Sequence, residues 1–160
     1  FRVVVPGVLY RSGQMSPEGF ERVFREFGIK TVISFRGVRD DGRDTDDEAE
    51  VEVCRRLGVQ FVRFPLADWE PVDGVIPADQ NVSRFLAMMD DPNVEKPVLV
   101  HCFAGIHRTG SHCAVYRMTH CGWNCDEAIR EMEAMGTSRT TFAPNLIDYL
   151  RNYSRPANSP

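Results

Sequence analysis

The chain has 160 residues, of which 42% are hydrophobic and 26% charged, proportions that suit one compact domain with a single core. Its net charge of −4 argues against a dedicated nucleic-acid or anionic-membrane surface, and no apolar run approaches the ~20 residues that span a bilayer. Five cysteines, an odd count without a CxxC pair or metal-ligand spacing, argue against a disulfide framework and for a reducing, cytoplasmic setting.

In chain order, Gly7-Val-Leu-Tyr-Arg-Ser-Gly13 reads as a short strand running into a turn. Ser16 and Pro17 then open a helix to about Phe27, because serine caps well and proline suits the first helical position. Phe20, Val23, Phe24 and Phe27 give that helix one apolar face, and Gly28 stops it. Thr31–Phe35 is a β-branched, nearly continuous apolar run, the pattern of a strand buried on both faces. Residues from Asp40 to Glu52 are strongly acidic and read as a solvated loop plus the first turns of a helix ending near Leu57-Gly58. Val59–Phe64 is the next strand, followed by a loop from Ala67 to Ile76 and a helix from Pro77 or Ala78 to about Met89. Pro97–His101 is a third buried strand. Beyond it the pattern is helical, over about 109–121, 125–135 and 143–153, with Asn124 and Pro144 as start signals.

Strands alternating with helices predict an α/β fold: a single domain over 1–160, with a mainly parallel central sheet flanked by helices on both faces. The C-terminal third is all helical, and a tail begins at about residue 154. Ligands of such folds bind beyond the carboxyl ends of the strands, where Pro97–His101 runs into Cys102.

Five residues separate Cys102 from Arg108. A loop wrapped at a helix N-terminus aims backbone N–H groups inward and forms an anion cradle aided by the helix dipole. Gly105 permits a positive φ and a close backbone approach. Arg108 can grip two phosphate oxygens through its planar fork. The same positive surroundings are expected to hold Cys102 as a thiolate nucleophile, with Thr109 donating a hydroxyl to the sulfur. His101 is expected to orient and tune the loop rather than act as a base. The remaining loop positions, Phe103, Ala104, Ile106 and His107, line the cradle. No metal or other cofactor is called for.

The segment His101–Gly110 resembles the His-Cys-x5-Arg-Ser/Thr signature of the cysteine-based protein tyrosine phosphatase superfamily. Ala104-Gly105-Ile106 and Arg108-Thr109-Gly110 match its tyrosine-specific form, whereas Phe103 and His107 depart from it. His107-Arg108-Thr109-Gly110 is similar instead to the atypical dual-specificity phosphatases of plants and fungi. That resemblance extends through Leu9–Gly13, Lys30–Arg36 and Pro97–Cys102, and so covers most of the chain to about residue 120. It implies a compact dual-specificity-phosphatase-like fold and hydrolysis of a phosphorylated protein or small phosphate ester; a monomer is expected.

Expulsion of the leaving group requires a proton donor. Asp68 lies 34 residues before Cys102 and Asp73 lies 29 before it. The resemblance favours Asp73, which precedes the helix-opening Pro77 by four residues; Asp68 has the more usual separation from the cysteine, and both stay open. Arg36, at the end of a buried strand, and Arg139, between the last helices, are further candidates for the pocket rim. The apolar residues Phe103, Ala104 and Ile106 favour phosphotyrosine-like monoesters over inositol polyphosphates, whose phosphatases tend to carry lysine or arginine there. Inositol phosphate or phosphoinositide hydrolysis is the alternative reading, and a catalytically weak phosphate-binding module is the alternative from another class.

Overall fold

The computed structural model describes residues 1–37, 47–137 and 144–153. They form two compact units, Phe1–Leu66 with Met88–Gly105, and Ala67–Ala87 with Ile106–Pro160. The architecture is mixed α/β with a mostly parallel sheet. None of the described helices is long and apolar enough to cross a membrane.

The first unit carries the sheet. Its strands are β1 (Arg2–Val5), β2 (Leu9–Ser12), β3 (Thr31–Ser34), β4 (Gln60–Arg63) and β5 (Val98–His101), in the spatial order β1-β2-β5-β3-β4. All four residues of β2, β3 and β5 are buried, as expected of strands covered on both faces. β5 lies between β2 and β3 and is parallel to both, with Ser12 and Ser34 each opposite His101. The three strands therefore end level, and Gly13, Phe35 and Cys102 emerge at one edge.

β1 adds an antiparallel strand that the sequence reading passed over, although Val3-Val4-Val5 has strong strand character. It is joined to β2 through Pro6-Gly7. Gly7 takes φ 70°, and the Val8 N–H closes the turn on the Val5 carbonyl at 3.0 Å.

Helix α1 (Pro17–Phe27) begins and ends where its cap signals lie. The Ser16 hydroxyl accepts from the Gly19 N–H, and Gly28 adopts φ 64°. Phe20, Val23 and Phe24 are buried in a core with Tyr10, Val32 and Leu99. Helix α2 (Glu48–Leu57) packs on α1 and β4. Here the expectation of a solvated acidic face needs correction for two residues. Asp47 and Glu50 are both buried, Asp47 paired with Arg63 and Glu50 with His101. The earlier acidic residues, 40–46, lie outside the described residues, as do Arg139 and the tail.

The second unit holds the Ala67–Pro77 loop, most of α3 (Ala78–Asp90), and α4 (His107–His120), α5 (Cys125–Ala134) and α6 (Pro144–Asn152). α4 packs against α5 and α6, and much of its length is buried. It starts two residues earlier than its pattern indicated, because the Gly110 N–H already bonds to the Ile106 carbonyl at 2.9 Å. α5 opens on a capping box in which Asn124 and Glu127 bond reciprocally.

Buried on α4, His112 lies edge-on to the rings of Phe85 and Trp69, and its Nδ1–H donates to the Arg108 carbonyl at 2.7 Å. Burial lowers its pKa from the ordinary 6.5 to about 4, against a smaller opposing pull from that carbonyl. The unfolded chain therefore binds a proton between these values that the folded chain refuses, and stability falls as pH drops from 6.5 toward 4. We expect His112→Gln to flatten this part of the stability curve, measured as urea midpoints across the same range.

Candidate active site

β5 delivers Cys102 to the level strand edge and buries it. The chain then turns back, and the Gly105 N–H donates to Cys102 Sγ at 3.2 Å. An amide donor aimed at sulfur serves the thiolate, which accepts hydrogen bonds better than the thiol does.

The turn is held by close backbone packing against the end of β2. Gly105 has φ 73°, and a Cβ on it would fall 2.5 Å from the Ser12 carbonyl oxygen and 2.6 Å from the Gly13 nitrogen. A Cβ on Gly13 would in turn lie 2.9 Å from the Phe103 oxygen. Two glycines thus allow the segments to touch main chain to main chain. The Gln14 N–H donates to the Phe103 carbonyl at 2.8 Å, and Arg11, itself buried, donates to the Gly105 carbonyl at 2.8 Å.

Of the expected site residues in this unit, His101 is fully buried on β5 and Phe103 is 70% exposed. Ala104 is also exposed. Arg36 follows β3, donates to the Gln14 side-chain oxygen at 3.1 Å, and places its guanidinium 5.8 Å from the Phe103 ring centroid. Cys54 is a contrasting thiol. Burial, with the nearby Glu50 charge adding, pushes it up to about 12, so it stays protonated.

In the second unit, Ile106 precedes α4, and His107, Arg108 and Thr109 form its first turn. The Arg108 backbone is braced from within the helix, its carbonyl accepting from the Ser111 hydroxyl at 2.8 Å and from His112. Thr109 is buried, and its hydroxyl has no hydrogen-bond partner among the described residues.

The loop bearing the two candidate acids is tied at its neck, where the Ala78 N–H bonds to the Asp68 carbonyl at 3.0 Å. Trp69 packs on Tyr149 at 4.8 Å between ring centroids. Val72 and Val75 exchange backbone hydrogen bonds of 2.8 and 2.9 Å, making a two-residue hairpin with Asp73 and Gly74 at its tip, at φ 50° and 78°. Asp-Gly suits a turn that needs positive φ at both central residues. Asp68 and Asp73 are both exposed. Asp79, by contrast, accepts the Tyr149 hydroxyl at 2.6 Å.

Sequence reasoning missed Gln14 and Glu50. The available signal was the spacing of Glu50, Val53, Cys54 and Leu57, which puts Glu50 on the apolar stripe of α2.

A cysteine-bearing turn at the end of a parallel strand, followed by an arginine on the first helical turn, is the layout of a dual-specificity-type cysteine phosphatase. A family model described as PTP-NADK, "DSP-PTPase phosphatase fused to NAD+ Kinase", matches residues 6–146, and the chain belongs to this family. The dual specificity protein phosphatase TpbA of Pseudomonas aeruginosa (strain UCBPP-PA14) is 32% identical over 143 residues, 89% of this chain and 58% of TpbA, so the chain spans less than two thirds of that relative. Among solved structures, the core catalytic domain of the PP-IP phosphatase SIW14 from S. cerevisiae, in complex with citrate, has a TM-score of 0.71 at 18% identity, covering 94% of this chain and 83% of that one. A cysteine-to-serine variant of P. aeruginosa TpbA in complex with pTyr has a TM-score of 0.64 at 24% identity, covering 90% of this chain and 83% of that one.

Gly105→Ala is expected to cost about 1–3 kcal/mol from the positive φ alone, and the new methyl group must also displace Ser12–Gly13. Urea denaturation and vanadate affinity measured together should show vanadate binding falling more steeply than stability.

Proposed function

We propose that the chain is a phosphoric monoester hydrolase of the protein tyrosine/dual-specificity kind, acting through a cysteinyl-phosphate. The observation that carries this is the Gly105 N–H donated to Cys102 Sγ at 3.2 Å, in an unbroken segment that reaches Arg108 six positions later.

In the first step, Cys102 Sγ attacks phosphorus in line. The S–P bond forms as the P–O bond to the leaving group breaks, and the leaving oxygen takes a proton from Asp73. Arg108 and the loop amides of residues 103–108 stabilise the charge on the equatorial oxygens. In the second step, water gives its proton to the Asp73 carboxylate and attacks phosphorus. The S–P bond breaks, releasing inorganic phosphate and the thiolate.

Support for Asp73 over Asp68 comes from its place at the tip of the hairpin rather than at its neck. Asp68 anchors the neck of the same loop through its carbonyl. The substrate class we favour is an aryl phosphate of phosphotyrosine type. The exposed Phe103 ring and the apolar Ala104 and Ile106 suit an aromatic ester better than a dense array of phosphates. The SIW14 likeness in fold makes inositol pyrophosphates the natural competing substrates to assay.

Wild type should hydrolyse p-nitrophenyl phosphate and phosphotyrosine peptide, with inhibition by vanadate, and Cys102→Ser should retain no turnover. Asp73→Asn is expected to lower kcat by about 10²–10⁴-fold on an alkyl phosphate, with Asp68→Asn changing it far less. The reverse order would assign the acid to Asp68. Faster turnover of an inositol pyrophosphate than of phosphotyrosine peptide would overturn the substrate assignment.

A further inference from the structure

The loop of residues 67–77 buries little that could hold it. None of its side chains is buried, and Asp68, Glu70 and residues 71–75 are exposed. A segment with few buried contacts opens readily, so its position depends on the few anchors it has. Within the loop, Val72 and Val75 fix the hairpin by bonding to each other at 2.8 and 2.9 Å. A tilt at the base therefore carries Asp73 with the hairpin as a body. Proton transfer works only at hydrogen-bond distance, and a displacement of about 1 Å can cost a hundredfold in rate.

The anchors of that base converge on α6. Tyr149 packs its ring on Trp69, the one aromatic residue of the loop, at 4.8 Å between centroids. Its hydroxyl donates to Asp79 Oδ1 at 2.6 Å. Trp69 stands near the start of the loop, and Asp79 lies in the first turn of α3 just past its end. A single side chain thus clasps both ends, next to the neck where the Ala78 N–H meets the Asp68 carbonyl at 3.0 Å. Asn145, four residues before Tyr149 and so on the same face of α6, donates to Glu70 Oε2 at 3.4 Å. Tyr149 itself is buried. Burial, reinforced by the bond to Asp79 and the charge there, raises its hydroxyl above the ordinary 10, so it stays a donor at neutral pH. Trp69 also lies edge-on to His112, 6.3 Å between centroids, and His112 donates to the Arg108 carbonyl at 2.7 Å. The ring that Tyr149 holds therefore reaches the helix that presents Arg108.

We propose that Tyr149 of α6 is a positioning residue for the general acid: by clasping Trp69 and Asp79 it fixes the base of the loop and so the place of Asp73 at the hairpin tip. The inference rests on the reading of Asp73 as the proton donor of a phosphatase. Tyr149 itself takes no part in the chemistry. Its loss releases the base of the hairpin, so the damage falls on the step that needs the acid. That step is expulsion of a poor leaving group, whereas p-nitrophenolate is stable enough to depart unprotonated.

The test uses the full chain as wild type, Tyr149→Leu, Tyr149→Phe, Asp73→Asn and the double variant Asp73→Asn/Tyr149→Leu. For each, kcat/KM is measured on an alkyl phosphate and on p-nitrophenyl phosphate. Tyr149→Leu is expected to lower the alkyl value by about 10–10²-fold and the aryl value far less. Tyr149→Phe keeps the ring on Trp69 but loses the bond to Asp79, and should fall between wild type and Tyr149→Leu. Once Asp73 is replaced, Tyr149→Leu should cost nothing further on the alkyl ester. A folded Tyr149→Leu that loses both esters equally, or that adds its full loss to that of Asp73→Asn, overturns the proposal, since a merely structural residue would act in that way. Should Tyr149→Leu not fold, the alkyl-to-aryl ratio of Tyr149→Phe decides: a lowered ratio supports the clasp and an unchanged one overturns it. Hydrogen exchange at the Ala78 amide needs no substrate. Faster exchange in the Tyr149 variants supports the clasp, and unchanged exchange overturns it. If exchange quickens while Asp73→Asn leaves alkyl turnover intact, or no ester is hydrolysed at all, the reading of Asp73 fails and the clasp on the loop stands.

Discussion

The backbone of Cys102–Gly105 lies against Ser12–Gly13 with no room for a side chain at either glycine, and the chemistry of the first unit hangs on that contact. Parallel pairing of β5 with β2 brings the two segments to the same level at the sheet edge. Absence of a Cβ at Gly13 and Gly105 lets them touch. Only then can the loop fold back far enough for the Gly105 amide to reach Cys102 Sγ. A strand register, two missing methyl groups and one N–H···S hydrogen bond form a single dependent series.

Two buried thiols in the same unit show what that loop accomplishes. Cys54 sits on α2 among apolar side chains and beside a carboxylate, and it is driven far toward the protonated form. Cys102 is buried to a similar degree but receives a backbone N–H, while its own carbonyl is held by a histidine. Burial disfavours an anion unless hydrogen-bond donors replace the lost water. Cys102 differs from Cys54 in those donors rather than in exposure.

Membership of the dual-specificity-type family says more about the reaction than about what is dephosphorylated. In the proposed reaction the Cys102 turn and Arg108 act on the phosphoryl group, which every phosphate ester shares. On the proposed reading, selection among esters falls to side chains such as Phe103, where this chain departs from the tyrosine-specific signature. Arg36 stands at that junction, since it meets both the Phe103 ring and Gln14.

Much of the fold was legible in the sequence. The apolar runs at Thr31–Phe35 and Pro97–His101, the Ser16-Pro17 start and the Gly28 stop appear where periodicity and cap chemistry put them, because those signals act within a few residues. The same holds for Gly105, whose need for positive φ is a local property, and for the Cys102–Arg108 spacing. What the sequence left hidden depends on partners distant along the chain. Val3–Val5 became a strand by pairing with β2, and Glu50, in an acidic stretch that reads as solvated, was buried because α2 turns its apolar stripe inward. Residue identity and local spacing determined the Cys102 loop, its glycine and the position of Arg108. Only the tertiary structure decided which carbonyls, amides and carboxylates surround that cysteine, since hydrogen bonds across 36 residues, as between Gln14 and Glu50, leave no periodic trace in the chain.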